Sequence, residues 1–432
     1  MRLLLSILLT LILPLTTLAG GELKSNSITI EHDVGRSLPS GNPITAFGDL
    51  RVTNLSPIFQ GSFEYTVDNT DLNTNTVANG GTVTQASAMA IVGTSTTTTS
   101  TALFQTKQHA KYRPGLGAVL RFTALFTTCT TGTEQYIGLA DEVGSSAAFK
   151  NGYMIGCDGD TFGFHRFQND VKFTTPLTDW DDPLDGSGLS SDTVTLTNLN
   201  VFFIEFQYLG AGHITIWRED SDTGKFIIVH TEQYAGLNTT PSVFNPNFFH
   251  TMWVANKATS INIILKGASY GFFIEGTTLH QELHQPLFSS GSKEKTSITT
   301  EVAILTIRNK VTYVGKTNFI DIILHEFLAS IEASSANNLG TVRVLRNATL
   351  GGTPSFSDIN TSNSVVEIDT AGTTISGGIE LFTIPLAGKN DAERENIIDH
   401  TIVVNPGDTI TLSGSSVASA TIRAGILWKE LF

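Results

Sequence analysis

Residues 200–230, NVFFIEFQYLGAGHITIWREDSDTGKFIIVH, decide the fold class. Phe202, Ile204, Phe206 and Tyr208 alternate with Phe203, Glu205 and Gln207, the period of two that sends successive side chains to opposite faces of a pleated strand. Gly210-Ala211-Gly212 and Asp220-Ser221-Asp222-Thr223-Gly224 supply residues that tolerate positive φ. The stretch is therefore predicted as three antiparallel strands joined by tight turns. The first set of side chains faces a core. Phe203 beside Glu205 and Gln207 marks a second face that is only partly wet, as in a two-layer sandwich.

Outward from this meander the same pattern recurs. Residues 59–67 alternate with Phe59, Phe63, Tyr65 and Val67 on one side, and strands at 82–92 and 102–108 follow, separated by a Thr/Ser run at 94–100 read as a solvated turn. Residues 118–126, AVLRFTALF, put Leu120, Phe122, Ala124 and Phe126 toward a core and Val119, Arg121, Thr123 and Leu125 opposite them. Runs at 135–141, 152–157 and 161–167 come next, the last two joined at Asp158-Gly159 as a hairpin. Strands at 248–255, 262–266 and 269–275 complete a set of about a dozen, which spells a two-sheet sandwich over 44–279. At 280–298, HQELHQPLFSSGSKEKTSI, the pattern stops. Pro286, a Ser/Gly cluster and mixed charges read as a linker, with Lys293 and Lys295 open to trypsin. Short apolar runs then continue through 299–432 with a turn at Asn405-Pro406-Gly407-Asp408, which predicts a jelly-roll-like sandwich.

The 432 residues leave room for more than one core, and a charged content of 15% is low; Thr, Ser, Asn and Gly take its place, as suits short strands and tight turns. A net charge of −14 argues against nucleic acid and anionic membrane surfaces as partners. Residues 1–19, MRLLLSILLTLILPLTTLA, read as a signal peptide cut before Gly20, because the apolar stretch is interrupted by Pro14 and falls short of a membrane span. An extended lead-in covers 20–43. Cys129 and Cys157, alone in the chain, either form one bridge in an oxidising compartment or remain two buried thiols.

Catalytic signatures fail on inspection. His325-Glu326-Phe327-Leu328-Ala329 opens like a zinc-protease helix, but Ala329 stands where the second histidine is required. His280 and His284 sit at i and i+4 without a third ligand, and Gly315-Lys316-Thr317 has Val311 where a phosphate loop needs glycine. Glu367-Ile368-Asp369 lacks the last acid of a glycosidase strand, and no G-x-S-x-G elbow occurs. The acidic loops remain. Asp181, Asp182 and Asp185 could bind Ca²⁺ while Trp180 stacks on a sugar, or the loop is an ordinary solvated turn in which Asp serves local hydrogen bonds. Four N-x-S/T triplets begin at Asn54, Asn238, Asn347 and Asn360. No cofactor is called for.

At FGDLRV (47–52), FEYTVDNTDLNTN (63–75), EQYIGLADEVGSSAAFKNGYMIG (134–156), TFGFHRFQND (161–170) and IEASSANNLGTVR (331–343), the chain resembles a family of largely unannotated virion structural proteins of tailed phages and other large DNA viruses. These are tail-fibre-like or capsid-surface-like components. The resemblance implies a non-enzymatic virion structural or surface protein, with other virion proteins and a host-surface glycan as partners, and it carries no catalytic residues. The expected architecture is all-β, a concanavalin/lectin-like sandwich followed by a jelly-roll-like one. A secreted carbohydrate-binding or adhesion protein is the alternative, favoured by the signal-like segment, and an extracellular glycan hydrolase the third. The apolar terminus 422–432, IRAGILWKELF, predicts a homo-oligomer, a trimer by preference, unless that run completes its own sandwich.

Overall fold

The alternation becomes strand wherever one face can be buried. The computed structural model describes residues 54–68, 72–276, 285–335, 337–400 and 402–432. The signal-like segment, the lead-in and the His280/His284 pair lie outside them. The chain divides into two units, Met1–Thr278 and Leu279–Phe432.

In the first unit, β1 (Leu55–Ser62), β2 (Asn73–Ala78), β3 (Thr82–Ala86), β4 (Met89–Gly93), β5 (Thr101–Ala110) and β6 (Ala118–Ala124) lead into β7 (Thr133–Ala140), β8 (Gly152–Asp158), β9 (Thr161–Gln168) and β10 (Val171–Pro176). The meander is β11 (Asn200–Phe206), β12 (Ile214–Glu219) and β13 (Phe226–Glu232), followed by β14 (Phe248–Asn256), β15 (Ile264–Gly267) and β16 (Ser269–Glu275). A six-stranded sheet runs β1-β16-β6-β11-β12-β13, a seven-stranded sheet runs β10-β9-β8-β7-β14-β5-β2, and β15-β4-β3 form a small third sheet. All pairings within them are antiparallel. Phe122, Phe202, Ile204 and Phe272 from one large sheet meet Phe104, Ile137, Tyr153 and Val254 from the other in a single core. A disulfide between Cys129 and Cys157 ties the segment after β6 to β8, with 5.4 Å between Cα atoms, and settles which of the two expected cysteine states holds.

Several strand boundaries differ from expectation. The strand expected at 59–67 is β1, which ends at Ser62; Phe63 and Val67 are still buried, but Tyr65 is 94% exposed. The single strand expected at 82–92 is the β3–β4 hairpin, because Ser87 and Ala88 both take positive φ (53° and 57°), a turn geometry that favours glycine and asparagine. The Thr/Ser run at 94–100 is not simply solvated: Asn256 Nδ2 donates to the carbonyls of Ser95 (2.8 Å) and Thr97 (2.9 Å), and Thr94 and Ser100 are buried. Strand β10 was not expected. It is paired to β9 through Asn169 and Asp170, both at positive φ.

The second unit is a jelly-roll-like sandwich of two six-stranded sheets. One runs Leu287–Ser289, Ala420–Glu430, Ile322–Ala333, Ala392–Asn396, with Lys293–Ile298 also on the second strand and Val403–Val404 on the third. The other runs Ser357–Asp358, Val366–Asp369, Val302–Asn309, Thr409–Ser416, Gly340–Arg346, Ile379–Leu386. The linker expected at 280–298 is therefore corrected from 287 onward: Leu287 pairs with Lys429 and Lys293 with Ala424, so polar residues there complete a sheet edge. Lys295 Nζ donates to the Thr370 carbonyl (2.8 Å). Most of the terminal run lies in the strand Ala420–Glu430 of its own sheet, with Trp428 and Leu431 buried and Phe432 47% exposed. The Pro406-Gly407 turn forms as expected, with Gly407 at φ 93° and Asp408 N–H donating to the Asn405 carbonyl (3.0 Å). His325 falls at a bulge in the strand Ile322–Ala333, and Lys316–Thr317 closes a hairpin with Thr312–Tyr313; neither supports the helix that its motif requires.

Candidate functional site

The expected ligand loop, between β10 and β11, turns its chemistry inward. Trp180 is 4% exposed, its ring stacked on His230 (centroids 6.0 Å apart, 13° between planes) and packed against Phe162 (6.1 Å). Its Nε1 donates to the Thr175 carbonyl (3.1 Å). It is a core residue, and the sugar platform expected of it is not there. Asp182 is also buried and accepts from the backbone N–H groups of Leu184 (3.2 Å) and Ser190 (2.8 Å), which fixes the loop's own turns. Asp181 accepts from Thr231 N–H (2.9 Å). Asp185 accepts from Ser187 N–H (2.8 Å) and Oγ (2.5 Å); that hydroxyl, then the N–H, holds its carboxyl below the usual range. The four residues point to different partners, and among the described residues no group of His, Cys, Asp and Glu could hold a metal ion. Asp220 behaves alike, accepting from Asp222 N–H, Thr223 N–H and Thr223 Oγ1. Local hydrogen bonding accounts for this loop's acids.

Two sheet faces carry the remaining chemistry. The face of the seven-stranded sheet turned away from the core buries Leu103, Tyr136, Met154, Phe167 and Trp253 under Phe149 of the β7–β8 loop. Asp170 pins that loop by accepting from the backbone of Ser145, Ser146 and Ala147, and its carboxyl lies far below the usual range, chiefly through the Ser145 hydroxyl. At one end, Glu134 and Asp158 sit opposite each other on β7 and β8. Both are already partnered. Glu134 receives Trp253 Nε1 (3.2 Å) and Lys257 Nζ (3.1 Å), and Lys172 Nζ reaches Asp158 at 2.6 Å and Tyr136 Oη at 3.3 Å. His165 is buried beside Tyr136, its Nε2 within 3.0 Å of the Gly156 carbonyl and its Nδ1 within 3.1 Å of Thr174 Oγ1. Burial pushes His165 down to about 4 and raises the Tyr136 phenol well above 10. Every charge in this cluster has a countercharge or a hydrogen bond.

The outer face of the six-stranded sheet is different. Arg121 on β6 stands in register with Phe203 on β11 and Gly271 on β16. Its guanidinium carbon lies 4.5 Å from the Phe203 ring centre and 5.4 Å from that of Phe273. Phe226 stacks on Phe203 with centroids 4.0 Å apart. Gly271 matters here because a Cβ would come within 2.9 Å of Phe273 Cε2, so glycine lets that ring fold back beside Arg121. The result is a recess of about 580 Å³ with Phe226 and Phe273 partly exposed and Gln60, Ser62 and Ser269 on its rim. Arg121 Nε is buried and, among the described residues, has no hydrogen-bond partner. The alternation at 118–126 places Arg121 on the outer face, but its pairing with rings from residues 203 and 273 follows only from the strand order.

No family model matches the chain, and no curated protein matches it. Solved structures that cover about half of this chain include an immunostimulatory antigen and pseudo β-1,3-glucanase of Mycobacterium tuberculosis (10% identity, 51% of this chain and 99% of that one, TM-score 0.35). Others are the lectin UEA-II complexed with galactose (10%, 51% and 100%, TM-score 0.32) and a legume lectin-like domain from Entamoeba histolytica (10%, 48% and 91%, TM-score 0.29). Likeness at this level says nothing of ligand or activity.

Proposed function

We propose that the chain is a non-enzymatic attachment protein, borne on a virion or secreted, whose first sandwich binds carbohydrate on the outer face of its six-stranded sheet. The observation that carries this reading is the recess around Arg121. Partly exposed aromatic rings suit the apolar face of a sugar, and a rim of amide and hydroxyl groups suits its hydroxyls. The virion setting rests on the resemblance at 134–156 and 161–170, segments that build β7 to β9. The Cys129–Cys157 disulfide supports passage through an oxidising compartment. The lack of hydrolysis is supported by Glu134 and Asp158, which are engaged by Lys257, Lys172 and Trp253 and are not left as a free acid and base.

A panel of immobilised neutral and acidic oligosaccharides, probed with the full chain and with Phe226→Ala and Phe273→Ala, tests it. Retention on at least one saccharide, weakened about tenfold by either substitution at unchanged melting temperature, is expected for aromatic anchors. Retention that both variants keep in full, or release of reducing ends, would overturn the reading.

A further inference from the structure

The recess points to a more specific ligand, and this step rests on the reading just given. We infer that it selects sugars bearing a carboxylate, uronic or sialic acids, with Arg121 as the residue that receives the anion.

The argument turns on what Arg121 lacks. Two other arginines lie over aromatic rings, and each donates a hydrogen bond, although the Nε of Arg166 is, like that of Arg121, buried without a partner among the described residues. Arg166, against Phe173 (4.3 Å) and Tyr234 (5.0 Å), donates Nη1 to the Ser242 carbonyl at 2.9 Å. Arg308, over Phe356 (3.9 Å), pairs with Glu367 at 2.6 Å. Arg121 has only its rings, and its Nε is buried without an acceptor among the described residues. A guanidinium held between flanking rings keeps its open directions in its own plane, where its N–H donors point in the fork that matches a carboxylate. The side chains lining the recess include no Asp, Glu, Lys or His, and the nearest acid along β11, Glu205, already accepts from Trp217 Nε1 (2.8 Å). The buried Nε is out of a ligand's reach, but a carboxylate on the guanidinium's outward Nη donors supplies the countercharge that Arg121 lacks. A neutral sugar would leave the charge uncompensated.

Calorimetric titration of the full chain compares methyl glucuronide, methyl galacturonide and a methyl sialoside, each against its carboxyl methyl ester, with methyl glucoside as the neutral control. At least one acid should bind roughly ten- to a hundredfold more tightly than its ester, the range of a charged hydrogen-bonded contact. Which acid does so distinguishes uronate from sialate. R121Q should abolish the difference and R121K should keep only part of it, since an ammonium lacks the fork. Equal binding of acid, ester and glucoside, lost in F226A, would overturn the carboxylate preference and leave carbohydrate binding standing. No binding of any saccharide would overturn both. A dimer seen by light scattering that R121Q dissolves would give the recess to an acidic group of a second copy and would likewise overturn the inference.

Discussion

The two outward faces of the first sandwich hold similar residue types to opposite effect. On the seven-stranded sheet, Glu134, Asp158, Lys172, Lys257, Tyr136 and Trp253 are tied to one another and His165 to the backbone of β8. On the six-stranded sheet, one arginine lies among phenylalanines with an unsatisfied Nε. Charge and aromaticity do not by themselves mark a binding site. What separates the faces is whether the polar groups are already paired. A closed network contributes to the fold, while an open donor in a recess is left for something outside the chain.

The largest expected difference is in response to acid. Burial depresses His165 to about 4 and His250, enclosed by Phe104, Phe122 and Tyr270, to about 3. Folded values below the unfolded ~6.5 mean that the unfolded chain binds more protons, so this stability is complete above pH ~6.5 and is lost as pH falls. Asp141 works in the opposite sense. Burial raises it to about 6 against the hydrogen bonds from Asn151, so its contribution is present at low pH and lost as pH rises toward 6. Two histidines outweigh one aspartate, and the melting temperature should fall between pH 6.5 and 4. Each histidine accounts for about 3 kcal/mol at pH 4. Scanning calorimetry checks this, and a melting temperature that rises through that interval would contradict it.

Next in size is Glu134→Ala. It strands Trp253 Nε1 inside the cluster, which should cost about 2 kcal/mol and lower the melting temperature by roughly 4–8 °C. The smallest effect should be that of Arg121→Met, which keeps apolar bulk between Phe203 and Phe273 and removes an unpaired donor. Its melting temperature should stay within about 2 °C of the parent, because no hydrogen bond is lost. If Arg121→Met destabilises as much as Glu134→Ala, both faces are structural and the contrast fails. In the second unit, Lys293 and Lys295 should resist limited trypsin, since both are paired to the strand Ala420–Glu430; early cleavage there, read by mass, would restore the linker.

The fold was legible where alternation and turn chemistry agreed. Phe202 to Phe206 and the Asp158 hairpin read correctly because large apolar residues fell on every second position beside residues fit for positive φ. Ser87-Ala88 concealed a turn, since neither residue advertises positive φ. The polar stretch at 287–298 concealed two edge strands, because an edge needs only backbone pairing with the strand Ala420–Glu430. Site residues were less legible for a physical reason. Trp180 looked like an exposed platform among acids, but its burial is set by His230 and Phe162. Arg121 looked like any outward residue of a strand, but its surroundings come from rings more than eighty residues away, through the order β16-β6-β11.

Hydrogen–deuterium exchange of the full chain, with and without a saturating uronic-acid oligosaccharide, tests the central claim most directly. Slower exchange confined to peptides spanning β1, β6, β11, β13 and β16, with β7 to β9 unchanged, is the predicted result. Protection on β7 to β9, or none anywhere, would contradict the assignment of the open face as the binding surface.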